Sequence, residues 1–160
     1  MDVRCEIRLD VPVDVAFAYY CYENRLQEWV TGGACLEFTP ISPAPKGVGS
    51  RYRMVYRLMG IVFTSVAEVK AFDRWRCVKE QVSGDYRTWR YDMRMSPTDD
   101  GGSRMAMHVH ADLPWGGLGV VAGWVARPLV QRDRQACYRR FKAQVESRHS
   151  ELGLVAASGA

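Results

Sequence analysis

The chain has 160 residues, 48% of them hydrophobic and 25% charged, with a formal net charge of +4. That length suits one domain with a substantial core, and so mild a positive balance lacks the strong electrostatic footprint of a nucleic-acid binder. Five cysteines, odd in number and without a C-x-x-C pair, argue against a disulfide framework or a structural zinc site and fit a reducing cytoplasm.

Val3, Cys5, Ile7 and Leu9 alternate with Arg4, Glu6 and Arg8, which predicts a first strand and leaves no stretch that reads as a signal peptide. Pro12 then opens a helical pattern in which Val13, Ala16, Phe17 and Tyr20 share one face. A second short helix, RLQEW, follows Asn24 and carries Trp29 as an anchor before Gly32-Gly33 breaks it. From Leu36 to Asp112 strand and turn signals alternate, predicting strands near 36–42, 51–59, 61–72, 75–83, 86–96 and 104–112. Their short connections predict sequential antiparallel neighbours.

After Gly116 the period changes. Ala126, Val130, Cys137, Phe141 and Val145 recur at helical spacing, predicting a long amphipathic helix from about Leu118 to about His149 with a bend at Pro128. The weakly charged run from Leu113 to Ala126 is too short and too glycine-rich to span a membrane. Residues 1–152 read as one domain and 153–160 as a disordered tail. A seven-stranded antiparallel sheet that is apolar on one face needs a cover, and the final helix is the only element long enough. The expected fold is therefore α+β: a helix-grip, with a curved sheet wrapped around the C-terminal helix and two short helices after the first strand.

The stretch GSRYRMVYRL shows what such a sheet turns inward. Arg51, Arg53 and Arg57 fall on one side of the pleat; Tyr52, Met54 and Tyr56 fall on the other. By the same parity Phe63, Trp89, Tyr91, Met93, Met105 and Met107 join the inner face. Such side chains build cores, and grouped on a concave surface they also suit flat apolar ligands.

The order of elements, with the stretches IRLDVPVDVAFAYYCYENRLQEW, GVGSRYRM, AEVKAFDRWRCVKEQVSG, DDGGSRMAMHV and RDRQACYRRFKAQVESRH, resembles the SRPBCC or START-like superfamily, in its polyketide cyclase/dehydrase-like branch. The resemblance covers nearly the whole chain. It implies a hydrophobic cavity between sheet and long helix, in a family that includes enzymes, lipid carriers and proteins that only sequester ligands. The last helix is also similar to that of single-domain aromatase/cyclases acting on aromatic polyketides. Those enzymes use an inner-sheet arginine; the corresponding position here is Lys70, which shares strand parity with the outward Glu68.

The groups expected to carry chemistry are Tyr56, Tyr91, Asp133 and Arg134, for proton transfer or enolate stabilisation. Two readings fit Asp133 and Arg134, which stand three and four residues after Val130: a solvated ion pair at the helix edge, or polar groups at the cavity mouth. Glu80, between Val78 and Val82, invites the same question. Expected ligand contacts are Tyr52, Met54, Phe63, Trp89, Met93, Met105, Met107, Trp124, Cys137 and Phe141.

Other chemistries find little support. His108 and His110 share a strand face with spacing that could serve a metal, but parity sends them outward and no further ligands complete a set. There is no G-x-S-x-G turn for acyl transfer. The stretch from Arg127 to Arg148, with seven basic residues against two acids, reads as the solvated back of the helix. The expectation is a cytoplasmic protein without cofactor, metal, nucleic-acid partner or membrane span, its oligomeric state open. It would bind a hydrophobic, aromatic or polyketide-like molecule and either cyclise or dehydrate it, or carry and sequester it without chemistry.

Overall fold

A computed structural model of the chain describes residues 1–21, 23–43, 46–58, 60–73, 77–84, 88–111 and 116–149. Seven strands run β1 (Asp2–Leu9), β2 (Cys35–Pro40), β3 (Arg51–Leu58), β4 (Ile61–Asp73), β5 (Cys77–Gly84), β6 (Thr88–Pro97) and β7 (Ser103–Ala111). Helices α1 (Val13–Cys21) and α2 (Glu23–Val30) connect β1 to β2, and α3 (Gly116–Ser147) closes the chain. The sheet is antiparallel throughout, in the order β1-β7-β6-β5-β4-β3-β2. Element boundaries fall within two residues of those read from periodicity, the second helix included, which begins at Glu23.

The alternation in β1 is realised as predicted, with Val3, Cys5 and Leu9 buried and Arg4, Glu6 and Arg8 outside. In β4 the inner row is Ser65, Ala67 and Val69, and the register then shifts between Val69 and Ala71. Lys70 is the extra residue of that irregularity. It lies exposed, its ammonium 2.6 Å from Glu68 Oε1.

α3 is continuous through Pro128, and its buried stripe is Ala126, Val130, Arg134, Cys137, Tyr138, Phe141 and Val145. Three- and four-residue steps keep these positions on one face. The C-terminal half of that face meets a solid core. Phe141, 0% exposed, packs edge-on against Tyr19 and Trp29, with ring centroids 5.6 and 5.0 Å away. Burial of one such ring stabilises the fold by about 2–3 kcal/mol. Backbone approach of α3 to the sheet is made mainly at β1. Opposite β3 and β6 the helix stands farther off, and side chains from both walls must fill the gap. The site lies in that gap.

Candidate functional site

Val130, Arg134 and Tyr138 stand one turn apart on α3 and face the inner rows of β3 and β6. Among the described residues two cavities lie between these walls. One, about 20 Å³, is lined by Val130, Asp133 and Arg134 from the helix and by Tyr56, Phe63, Trp89 and Tyr91 from the sheet. The other, about 40 Å³, reaches toward α1 and α2, where Tyr20, Trp29, Lys46, Tyr52 and Tyr138 border it. Tyr56, Tyr91 and Arg134 belong to both linings and stand between the two spaces. Around the first, the rings of Tyr56, Phe63 and Trp89 lie nearly parallel, 22–26° between planes with centroids 5.6–6.1 Å apart. That is a flat aromatic platform.

Arg134 is 9% exposed, and its guanidinium sits 5.7 Å from the centre of the Tyr56 ring. One of its nitrogens donates to Asp133 Oδ2 at 3.2 Å, the only hydrogen bond it makes among the described residues. A guanidinium has five N–H donors and stays protonated. The carboxylate beside it is doubly engaged, since Asp133 Oδ1 accepts the Ala34 backbone N–H at 2.7 Å. Gly33 makes this approach feasible, because a Cβ there would run into that same oxygen. The pair is thus not a solvated couple at the helix edge: Arg134 points inward, and Asp133 ties it to the loop entering β2.

Burial keeps several other titratable groups in and beside the gap neutral. Burial pushes the Tyr56 phenol well above its ordinary value; the adjacent Tyr91 adds to this and Arg134 opposes it. Burial does the same to Tyr138. The Cys35 thiol is pushed up to about 11 by burial, against the influence of Arg134, and burial also raises Cys137 and Cys5. These thiols are not nucleophiles at neutral pH. Among the described residues the site therefore offers hydrogen-bond donors and cations, with its one carboxylate already committed.

Two features of the second cavity are absent from the expectations drawn from sequence. Lys46, 3% exposed, places its ammonium 4.3 Å from the centre of the Tyr20 ring and 4.9 Å from that of Tyr52. Trp29 Nε1 and the Tyr138 hydroxyl are buried without a hydrogen-bond partner among the described residues. Tyr138 was legible as the residue one turn beyond Arg134. Lys46 was not, because it lies between strands, where periodicity says nothing about burial.

The structure brings Tyr56, Tyr91, Asp133 and Arg134 together, and with them Tyr52, Met54, Phe63, Trp89 and Met107. Four expected ligand contacts are placed elsewhere in the core, and a fifth lies outside it. Met93 and Met105 point inward at 0% exposure but line neither cavity. Phe141 belongs to the solid end of the helix, and Cys137 directs its thiol to the Trp29 carbonyl at 3.3 Å. Trp124 is 78% exposed and borders a groove on the far side of α3 with Pro128 and Gln131. Two positions before Ala126, it is turned about 200° away from the buried stripe. Glu80's side chain lies outside the described residues.

His108 and His110 are on the outer face, and there β1 supplies a carboxylate: Asp2 Oδ1 lies 2.9 Å from His108 Nε2 and 3.0 Å from His110 Nδ1. Their hydrogen bonds, that of His110 foremost, hold the Asp2 carboxyl down at about 2. No group of three His, Cys, Asp or Glu suited to a metal occurs among the described residues. No helix among them is long and apolar enough to cross a membrane.

No family model and no curated protein matches the sequence. Solved structures do match over nearly the whole length. The protein TTHA0849 from Thermus thermophilus superposes with a TM-score of 0.77 at 15% identity, over 92% of this chain and 98% of its own. The Zhui aromatase/cyclase from Streptomyces sp. R1128 gives 0.72 at 13% identity, over 92% and 94%. Ara h 8.0201 gives 0.69 at 13%, over 92% and 98%. Antiparallel sheet, paired short helices and long closing helix together give this chain the same helix-grip fold as these structures.

Proposed function

We propose that the chain binds a hydrophobic, aromatic or polyketide-like small molecule between α3 and the sheet, with Tyr56, Tyr91 and Arg134 as the groups that act on it. The observation that carries this reading is Arg134, a guanidinium buried among aromatic rings with one internal hydrogen bond. Burying a charge costs several kcal/mol, which one hydrogen bond to Asp133 offsets only in part. In a cyclisation the guanidinium would stabilise the oxyanion that develops on the attacked carbonyl as the carbon–carbon bond forms. In dehydration the Tyr56 or Tyr91 phenol would give a proton to the departing hydroxyl, which leaves as water, and regain one from the α-carbon as the double bond forms. Asp133, with both oxygens engaged, positions Arg134 and takes no proton itself. Likeness of fold to an aromatase/cyclase agrees with this reading.

A second reading is a non-catalytic carrier or sequestering protein for the same kind of molecule. It is favoured by the absence of any uncommitted base among the described lining residues. A thermal-shift screen of aromatic and polyketide ligands, with mass spectrometry on every hit, separates the two. A ligand at 100 times its dissociation constant adds about 2.7 kcal/mol to stability. A shift with an altered product mass, or for a cyclisation that loses no water an altered retention time at unchanged mass, is expected for an enzyme, and a shift with the ligand recovered unchanged makes the protein a carrier. No shift with any hydrophobic ligand would overturn both.

A further inference from the structure

We propose that the outward face of the first half of α3 is a docking surface for an anionic lipid bilayer. A regular pattern points there. Val121, Trp124, Val125, Pro128 and Leu129 are all exposed, Val121 and Trp124 at 60% and 78%. Their steps of three, four, seven and eight residues from Val121 put them within an arc of about 140°, on the side away from the stripe that covers the sheet. Single apolar side chains on a surface are ordinary. A stripe repeated over two turns is not. It gives these turns of α3 two apolar faces, only one of which the fold covers among the described residues.

Charge identifies the occupant. Arg127 borders a groove with Trp124, Val125 and Pro128. Arg132 and Arg139 stand two and four turns beyond Val125 on its own line of the helix, and all three arginines are exposed. Residues 113–132 contain no Asp or Glu. Of the two acids in α3, Asp133 is held by Ala34 and Arg134, and Glu146 accepts from Lys142 and from the Asp10 N–H. The helix itself therefore presents an apolar end followed by a row of guanidinium groups. Those are the two features with which an interfacial helix meets acyl chains and anionic headgroups. Trp124 suits the boundary between them, where an indole buries its ring and keeps its N–H wet.

Size argues against a protein partner. A stable protein interface takes about 20–30 residues a side, far more than this stripe offers. To reach that size a second copy would have to bury Arg127, Arg132 and Arg139 with no uncommitted carboxylate on α3 to pair them. A bilayer needs no such area: shallow insertion of a few side chains, with phosphates around the arginines, is enough. No helix among the described residues is apolar enough to cross a bilayer, so α3 would lie on its surface. The same turns line the first cavity from their other side through Val130, so docking would bring that cavity to a surface where hydrophobic molecules collect. This consequence rests on the cavity reading above; the docking itself does not.

The test is flotation of the full chain with vesicles of phosphatidylcholine, alone or mixed with an equal part of phosphatidylserine, at physiological salt. Wild type should bind the mixed vesicles at least about fivefold more tightly than the neutral ones, the worth of one arginine near an anionic surface. Trp124→Gln combined with Leu129→Gln should weaken binding about tenfold or more by removing inserted apolar surface. Arg132→Gln should weaken it about fivefold on mixed vesicles and leave neutral ones unaffected. All three positions are exposed, so melting temperatures should not change, and if one variant fails to fold the other decides. Failure of wild type to float with mixed vesicles overturns the proposal, as does binding that neither variant weakens or that is equal on both vesicles. Dimerisation in sedimentation velocity, abolished by the Trp124 and Leu129 changes and unaccompanied by flotation, would give the face to a second copy instead. The thermal-shift screen judges the cavity separately, so either reading can fall without the other.

Discussion

Asp133 occupies the space that a side chain on residue 33 would need: its Oδ1 accepts the Ala34 N–H at 2.7 Å and lies where a Gly33 Cβ would be. Two segments 99 residues apart in sequence are joined there, and the junction aims Arg134 into the interior. Gly33→Ala should therefore displace the carboxylate and cost about 1–3 kcal/mol, the range for a forced steric shift. In an Asp133→Ala background the same substitution should cost much less, because the obstructing oxygen is gone. Urea denaturation of the two single variants and the double variant measures this coupling directly. Equal costs in both backgrounds would refute the junction.

Removing either member of the Asp133–Arg134 pair should act in opposite directions. Asp133→Ala strands a guanidinium that has no other acceptor among the described residues, at a cost of about 3 kcal/mol. Arg134→Met replaces the charge by an apolar chain of similar volume and should leave stability unchanged or raise it by about 1 kcal/mol or more. A gain in melting temperature together with loss of ligand binding would mark Arg134 as kept for function at a cost to the fold. Equal destabilisation by both changes would mark it as structural.

Much of this architecture was legible because its elements are strictly periodic. Tyr52-Arg53-Met54-Val55-Tyr56 declares which side faces in, and the Val130–Val145 stripe declares the covering helix. The ambiguity lay where a polar residue falls on an apolar stripe. Arg134 follows Val130 by four positions and precedes Tyr138 by four, so spacing placed it inward while its charge argued outward. Only the Gly33–Ala34 loop, remote in sequence, decides the matter by holding Asp133. Parity also overreaches: it sends Met93 and Met105 inward correctly, but inward is not the same as facing a cavity. That distinction depends on how far α3 stands from each strand, which no local pattern encodes.

The same substitution at two buried tyrosines should have opposite signs. Tyr19, 0% exposed, donates to Gln144 Oε1 at 2.7 Å and lies 3.2 Å from Glu28 Oε2. Tyr19→Phe should cost about 1–2 kcal/mol, since it also strips a partner from Gln144. Tyr138 has no partner for its hydroxyl among the described residues, so Tyr138→Phe should be neutral or stabilising by about 1 kcal/mol. Chemical denaturation of the two variants checks this. A clear loss at Tyr138 would mean that its hydroxyl is satisfied in solution, and the count of unmade donors in the cavity would then fall by one.

The outer face gives a prediction in pH. Hydrogen bonds from His110 and His108 hold the Asp2 carboxyl at about 2, below its ordinary 3.8. A carboxyl depressed in the folded state binds fewer protons than in the unfolded chain, so its contribution is full above about pH 4 and is lost as pH falls through 2. The Asp2 side chain is 55% exposed, and solvent screening keeps the contribution below about 1 kcal/mol. Wild type should exceed Asp2→Asn in stability at about pH 4, with the gap closing toward pH 2. β1 joins the sheet only through β7, at the edge where Asp2 pairs with His110, so amide exchange of the first residues should accelerate over the same acid range. A gap that persists unchanged to pH 2 would show that this carboxylate, though placed between two imidazoles, does nothing to hold the strand.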